Sequence, residues 1–183
     1  MVRKLFVVLA VCGIFFFNSC NTSVKSNNAE SESAVNRISQ QADGTISLKV
    51  DKAECYHDKV NPSTNTAEWN VMVSKSGRFN VWLSSATKDT TNLKYEHSVM
   101  LSILDNRLES HPGCDKIVQD SKEVVFPYFR ADSFMGSLYI QDTGLLNIQL
   151  ISEKILPENY QKTQSPLSDD SRLISVFLTP ITR

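Results

Sequence analysis

The side chains able to do chemistry are few and scattered. His57, His97 and His111 are the only histidines, and no two of them stand at a metal-ligand spacing such as His-x-x-x-His. No Gly-x-Ser-x-Gly segment marks a nucleophile elbow. Tyr56-His57-Asp58 follows Cys55 as a polar cluster, but neighbours along an extended chain point to opposite faces, so a loop decoration is the simpler reading than a catalytic dyad. Asp169-Asp170 and Glu109 read as solvated charges, and no pair of carboxylates can be matched to a general acid and base. The expectation is therefore a protein that is not an enzyme, with no catalytic residues and no metal centre.

The four cysteines, Cys12, Cys20, Cys55 and Cys114, carry more information. Val2-Arg3-Lys4 is basic, Leu5 to Phe17 is almost unbroken apolar sequence, and Asn18-Ser19-Cys20 follows. A basic start, an apolar run of roughly 7–15 residues and small residues before a cleavage point describe a secretory leader. The run is shorter than the ~20 residues that span a bilayer comfortably. Ser19-Cys20 at its end resembles a relaxed lipobox, in which the cysteine is acylated, with palmitate among the chains, after cleavage. This resemblance implies a leader over residues 1–19, lipidation at Cys20 and a place in the cell envelope, by default on the outer membrane facing the periplasm. With Cys12 lost and Cys20 acylated, Cys55 and Cys114 remain as one pair in an oxidising compartment, and a disulfide between them is expected.

Removing Arg3 and Lys4 with the leader leaves 17 basic against 20 acidic residues, a net charge of −3. No basic stripe supports nucleic-acid binding. Residues 20–43 are rich in Asn, Ser, Thr, Glu and Gln; such sequence buries too little apolar surface to offset its ordering entropy, so it reads as a flexible tether. From Gly44 the pattern changes. Ile46/Leu48/Val50, Trp69/Val71/Val73, Phe79/Val81/Leu83, Val99/Leu101/Ile103, Leu146/Ile148/Leu150 and Ile174/Val176/Leu178 each alternate with other residues. A period of two predicts half-buried strands. Ser74 to Gly77, Leu104 to Leu108 and Asp142 to Gly144 read as reversals between them. Residues 44–183 are thus predicted to form one all-β domain, a sandwich or barrel.

The order of these pieces resembles the carbohydrate-binding modules of the galactose-binding-like jelly-roll type. Glu68 to Leu83 is similar to their strand–turn–strand with a "Val-x-x-x-Gly" turn. Val99 to Arg107 is similar to the strand before their "Asp-Gly-Lys" turn, with Asn106 in the place of the glycine and expected to take its positive φ. Met135 to Ile140, Gly144 to Leu150 and Leu173 to Pro180 resemble the closing strands. The resemblance implies a β-sandwich of jelly-roll form and, by analogy, glycan capture. The expectation is a membrane-anchored, non-catalytic lipoprotein that binds a glycan; the alternative is a structural or protein-binding component of an envelope complex.

Glycan sites use aromatic faces and a few placed polar groups. By alternation Trp82 lies on the face opposite Phe79, Val81 and Leu83. It is either a stacking platform outside the sandwich or a packed filler with Phe79 outside. Trp69 shares the face of Val71 and Val73 and is expected in the core. Tyr56, Tyr95 and Tyr128 lie in loop-like sequence and are candidates to line a site. The resembling modules often hold calcium near the first strand, where this chain has Asp51 and Glu54. Their acidic motif is not matched residue for residue, and a hard cation needs more oxygen ligands, so the two read as solvated carboxylates and no cofactor is expected.

Overall fold

The computed structural model describes residues 37–156 and 171–181. The leader, Cys20, the tether up to residue 36 and Asp169-Asp170 lie outside the described residues. Among the described residues, no helix is long and apolar enough to cross a membrane.

Among the described residues eleven strands run β1 (Arg37–Ser39), β2 (Ile46–Lys49), β3 (Glu54–Tyr56), β4 (Thr66–Val73), β5 (Gly77–Thr87), β6 (Val99–Ile103), β7 (Asn106–Ser110), β8 (Lys116–Val118), β9 (Phe129–Ile140), β10 (Gly144–Ile151) and β11 (Arg172–Pro180). They form two sheets. One has the order β1-β4-β10-β6-β7, with β3 also paired to β4; the other has the order β2-β11-β5-β9-β8. The fold is an all-β sandwich, as the alternation predicts.

The alternation works because the inward set of each strand closes one shared core. Ile46 and Leu48, Trp69, Val71 and Val73, Phe79, Val81 and Leu83, Leu101 and Ile103, and Ile148 and Leu150 are all buried in it. Trp69 sits there as expected, and its indole N–H donates to the Lys49 carbonyl at 2.8 Å. That bond joins a strand of one sheet to a strand of the other.

Four expectations are corrected. The domain does not begin at Gly44: β1 pairs in parallel with β4 through Arg37↔Asn70 and Ser39↔Met72. The Gln40 side chain accepts from the Ser74 and Lys75 backbone N–H groups at 3.0 and 2.7 Å and donates to the Gly44 carbonyl at 2.8 Å. Residues 37–43 therefore belong to the sandwich, because polar side chains that satisfy backbone groups order a segment which apolar content alone would not.

The cysteines are thiols, not a disulfide. Cys55 lies in β3, paired with β4 in one sheet, whereas Cys114 lies in the connection from β7 to β8, beside β9 of the other sheet, where the Ser133 hydroxyl donates to the Gly113 carbonyl.

The β6–β7 turn is Leu104-Asp105, and Leu104, not Asn106, takes the left-handed backbone at φ 51°. Asn106 pairs with Ile103 instead, and its side-chain amide donates to the Tyr139 carbonyl at 3.1 Å. Finally, a bulge in β11 between Leu173 and Ser175 breaks the alternation. Leu173 turns into the core while Ile174 is only half-buried, since one inserted residue swaps the faces on either side of it.

Candidate functional site

The outer face of the β2-β11-β5-β9-β8 sheet is unlike an ordinary solvated surface. On β5 the core takes Phe79, Val81 and Leu83, so Asn80, Trp82 and Ser84 must face outward. Register then fixes their neighbours. Ser47 lies opposite Phe177, Phe177 opposite Trp82, and Trp82 opposite Phe134. Three aromatic rings from β11, β5 and β9 thus stand in one row across the sheet. The Trp82 and Phe177 rings are near-parallel, 8° apart with centroids at 6.4 Å, and Phe134 tilts against Trp82 at 5.1 Å. Phe134 is 43% exposed. Of the two readings of Trp82, the structure shows the outward one, with Phe79 inside.

A bulge makes the row possible. β9 slips by one residue opposite Val81 and Trp82, which buries Met135 and leaves Phe134 facing out. Gly136 follows at φ 129°. A Cβ there would lie 3.0 Å from Leu108 Cδ1.

Polar groups flank the row on both sides. Towards the β5 start lie Thr179, Asn80 and Ser137, with the Ser137 hydroxyl donating to the Asn80 side-chain oxygen at 2.7 Å. On the other side lie Lys49, Ser175, Ser84, Asp132 and Lys116. The Ser84 hydroxyl donates to Asp132 at 2.8 Å. Arg130 donates to both Asp132 oxygens, at 2.7 and 3.2 Å, and to Glu123 at 2.7 Å. Burial alone would lower the pKa of Arg130, but the hydrogen bonds and charges of Asp132 and Glu123 outweigh it and hold the guanidinium protonated. Its Cζ lies 5.5 Å from the centre of the Phe177 ring, so it reaches across β5 to β11, over Ser84 and Ala86, which are small enough to leave room.

Glu123 also meets Lys49 on β2 at 3.6 Å. Bound to β9 and β2 at once, it draws the segment 119–128 over the sheet as a strap beside the aromatic row. Between strap and sheet is a cleft of about 250 Å³, lined by Lys49, Val50, Asp51, Lys122, Glu123, Arg172, Leu173 and Ile174. At the strap's tip, Val125 and Phe126 are 60% and 87% exposed.

The other candidates do not converge on Trp82. Tyr56 is 50% exposed but sits on the outer face of the opposite sheet. There a hydrogen bond with Glu54, partial burial and the charges of Glu54 and Glu68 push its phenol up to about 12. Tyr95 is buried in the core and shares a hydrogen bond with the Ser85 hydroxyl at 2.9 Å. It is a packing residue, not part of a site, and burial holds its phenol well above the ordinary range. Tyr128 lies at the base of the strap, with Lys88 Nζ 5.4 Å and Arg172 Cζ 5.8 Å from its ring centre. Through Arg172 it borders the cleft.

Asp51 lines the cleft, and the Glu54 carboxylate is hydrogen-bonded with Tyr56. Among the described residues, Glu96, His97 and Glu153 could present ligand atoms to a metal, one each within 4.8 Å of one another. The Glu153 carboxylate is already bonded to the His97 ring nitrogen.

Phe177 and Phe134 are the site residues that the sequence reading missed. The signal for Phe177 was present, since it alternates with Val176 and Leu178 just as Trp82 alternates with Val81 and Leu83. For Phe134 the bulge erased the signal. The strap is held by Glu123, paired with Arg130 seven residues on and with Lys49 far back in the chain, and no residue type announces it.

No protein-family model matches the sequence, and no curated protein matches it. Among solved structures, an α-L-fucosidase from Vibrio sp. strain EJY3 superposes with a TM-score of 0.61 at 19% identity, over 79% of this chain and 24% of that one. The likeness is one of fold. This chain spans about a quarter of the length of that enzyme. A Podospora anserina β-(1,4)-mannanase described as GH26-CBM35 matches at a TM-score of 0.46 and 10% identity, over 77% of this chain and 28% of that one.

Proposed function

We propose that the protein is a non-catalytic lipoprotein of the cell envelope that binds a glycan on the outer face of the five-stranded sheet. The carrying observation is the row Phe177–Trp82–Phe134. Aromatic faces stack on the C–H faces of pyranose rings, and hydrogen-bonding groups on either side meet the hydroxyls. Asn80, Ser137 and Thr179 supply such groups on one side of the row, and Ser47 at its end. The reading is of binding and not turnover because the carboxylates beside the row are engaged, Glu123 and Asp132 by Arg130 and Asp115 by the Phe134 backbone N–H at 2.6 Å. The likeness to a fucosidase domain is compatible with this reading but does not carry it.

The test is a glycan array probed with the purified chain and with Trp82→Ala. Selective binding is expected, with affinity reduced at least tenfold by the substitution while the melting temperature shifts little, since Trp82 is outside the core. An array without any bound glycan would reject the reading. Weight would then pass to an envelope protein partner, a reading favoured by one feature, the exposed Val125 and Phe126 at the strap tip. Isolation of a stoichiometric partner from detergent extracts would support that alternative.

Membrane attachment is part of the proposal and rests on the leader and Ser19-Cys20. Several acyl chains at about 0.8 kcal/mol per buried methylene would hold the protein durably. Cys20→Ser is expected to abolish palmitate labelling and move the protein from the membrane to the soluble fraction. Unchanged fractionation would exclude the anchor.

A further inference from the structure

The cleft beneath the strap is chemically distinct from the row it adjoins. Three cations line it, Lys49, Lys122 and Arg172, together with two carboxylates, Asp51 and Glu123. Glu123 is taken up by Arg130 at 2.7 Å and Lys49 at 3.6 Å, and Arg130 also binds Asp132. Lys49, Arg130, Glu123 and Asp132 thus form a neutral set. Among the described residues, what remains facing the cleft is Lys122 and Arg172 against Asp51, a surplus of one positive charge. Arg172 lies with its Cζ 5.8 Å from the Tyr128 ring centre. A guanidinium resting on a ring keeps its in-plane N–H donors for a planar or tetrahedral anion. The walls are low-dielectric, since Val50 and Leu173 are buried core residues and Ile174 is half-buried, so a charge there is screened less than on open surface.

The cleft is also correctly placed. Lys49 follows Ser47 by two residues on the same face of β2, about 7 Å along the strand, and Ser47 stands opposite Phe177 in the aromatic row. A sugar stacked on the row therefore reaches the cleft with a substituent of the same or the next residue.

We infer that the cleft is an anion subsite, and that the glycan is an acidic one whose carboxylate or sulfate is held by Lys122 and Arg172 while its rings lie on the aromatic row. This rests on the glycan-binding reading above. Shared chemistry admits two sources of the anion, a uronic acid or a sulfate ester. Asp51 then sets an upper limit on the charge accepted, because a second anionic group would face its carboxylate.

The experiment is calorimetric titration of the full chain with three probes of equal length: an oligogalacturonide, a sulfated galactan oligosaccharide and a neutral galacto-oligosaccharide. Each is repeated with Lys122→Glu, Trp82→Ala and at two salt concentrations. Lys122 is on the exposed strap, so the variant is expected to melt as the parent does. At least one anionic probe should bind tenfold or more tighter than the neutral one, with salt sensitivity and a tenfold loss in Lys122→Glu; the tighter of the two names the source. Equal binding of neutral and anionic probes, unaffected by Lys122→Glu but lost in Trp82→Ala, would overturn the subsite and leave the aromatic site standing. Absence of binding by every probe would overturn the subsite, and together with an empty array the glycan reading as well.

Discussion

Trp69→Ala is expected to lower the unfolding free energy by about 4 kcal/mol, within the ~3–5 kcal/mol typical of deleting a buried aromatic. Trp69 is 2% exposed and is among the largest fully buried side chains of the sandwich. Its effect has two parts that a second variant separates. The ring fills the space between sheets, and the indole N–H satisfies the Lys49 carbonyl across them at 2.8 Å. Trp69→Phe keeps most of the apolar volume and removes the donor, so it should cost less, about 1–3 kcal/mol. Urea denaturation of both variants checks this through the midpoint at constant slope. A loss below about 1 kcal/mol in Trp69→Ala would mean that the two sheets are not held together at this residue.

Gly136→Ala should be nearly as damaging for a different reason. At φ 129° an L-residue occupies a region that essentially only glycine visits, at a cost of order 1–3 kcal/mol. The added Cβ also meets Leu108 Cδ1 at 3.0 Å. Because that atom is the end of a flexible side chain, most of the loss, about 2–3 kcal/mol in all, is assigned to the backbone. Leu108→Ala in the same chain should therefore fail to rescue it, and full rescue would refute the backbone account. The consequence extends to the candidate site. The bulge that Gly136 closes is what sets Phe134 opposite Trp82, and losing the extra residue would turn Phe134 toward the other face. In a Trp69→Phe background Trp82 is the remaining tryptophan of the two in the chain. Its fluorescence should shift to the red on Gly136→Ala as the Phe134 ring, 5.1 Å away, moves off.

What the sequence by itself determined is the class of fold and the inward face of most strands. Alternation is a local property: each residue of an extended chain points opposite to the last, so Phe79, Val81 and Leu83 share one face of β5 and Trp82 takes the other, but which face is the inner one was left open and only the packed sandwich decided it. The same logic placed Trp69 correctly. It failed at Ile174, where one residue is inserted in β11, because a bulge reverses the pattern and leaves no residue type that announces it. It also failed wherever a segment is ordered by distant polar groups. Gln40 ties residues 37–43 to the turn after β4, and Glu123 ties the strap to β2 and β9. Compartment reasoning paired Cys55 with Cys114 because both were left over, whereas the fold puts Cys55 in β3 of one sheet and Cys114 in the connection beside β9 of the other, both as thiols. Only the tertiary structure decided the candidate site, since Phe177, Trp82 and Phe134 come from three strands and meet through register. Register depends on which strands pair and where they slip, and that is settled by packing of the whole sandwich and not by any one segment.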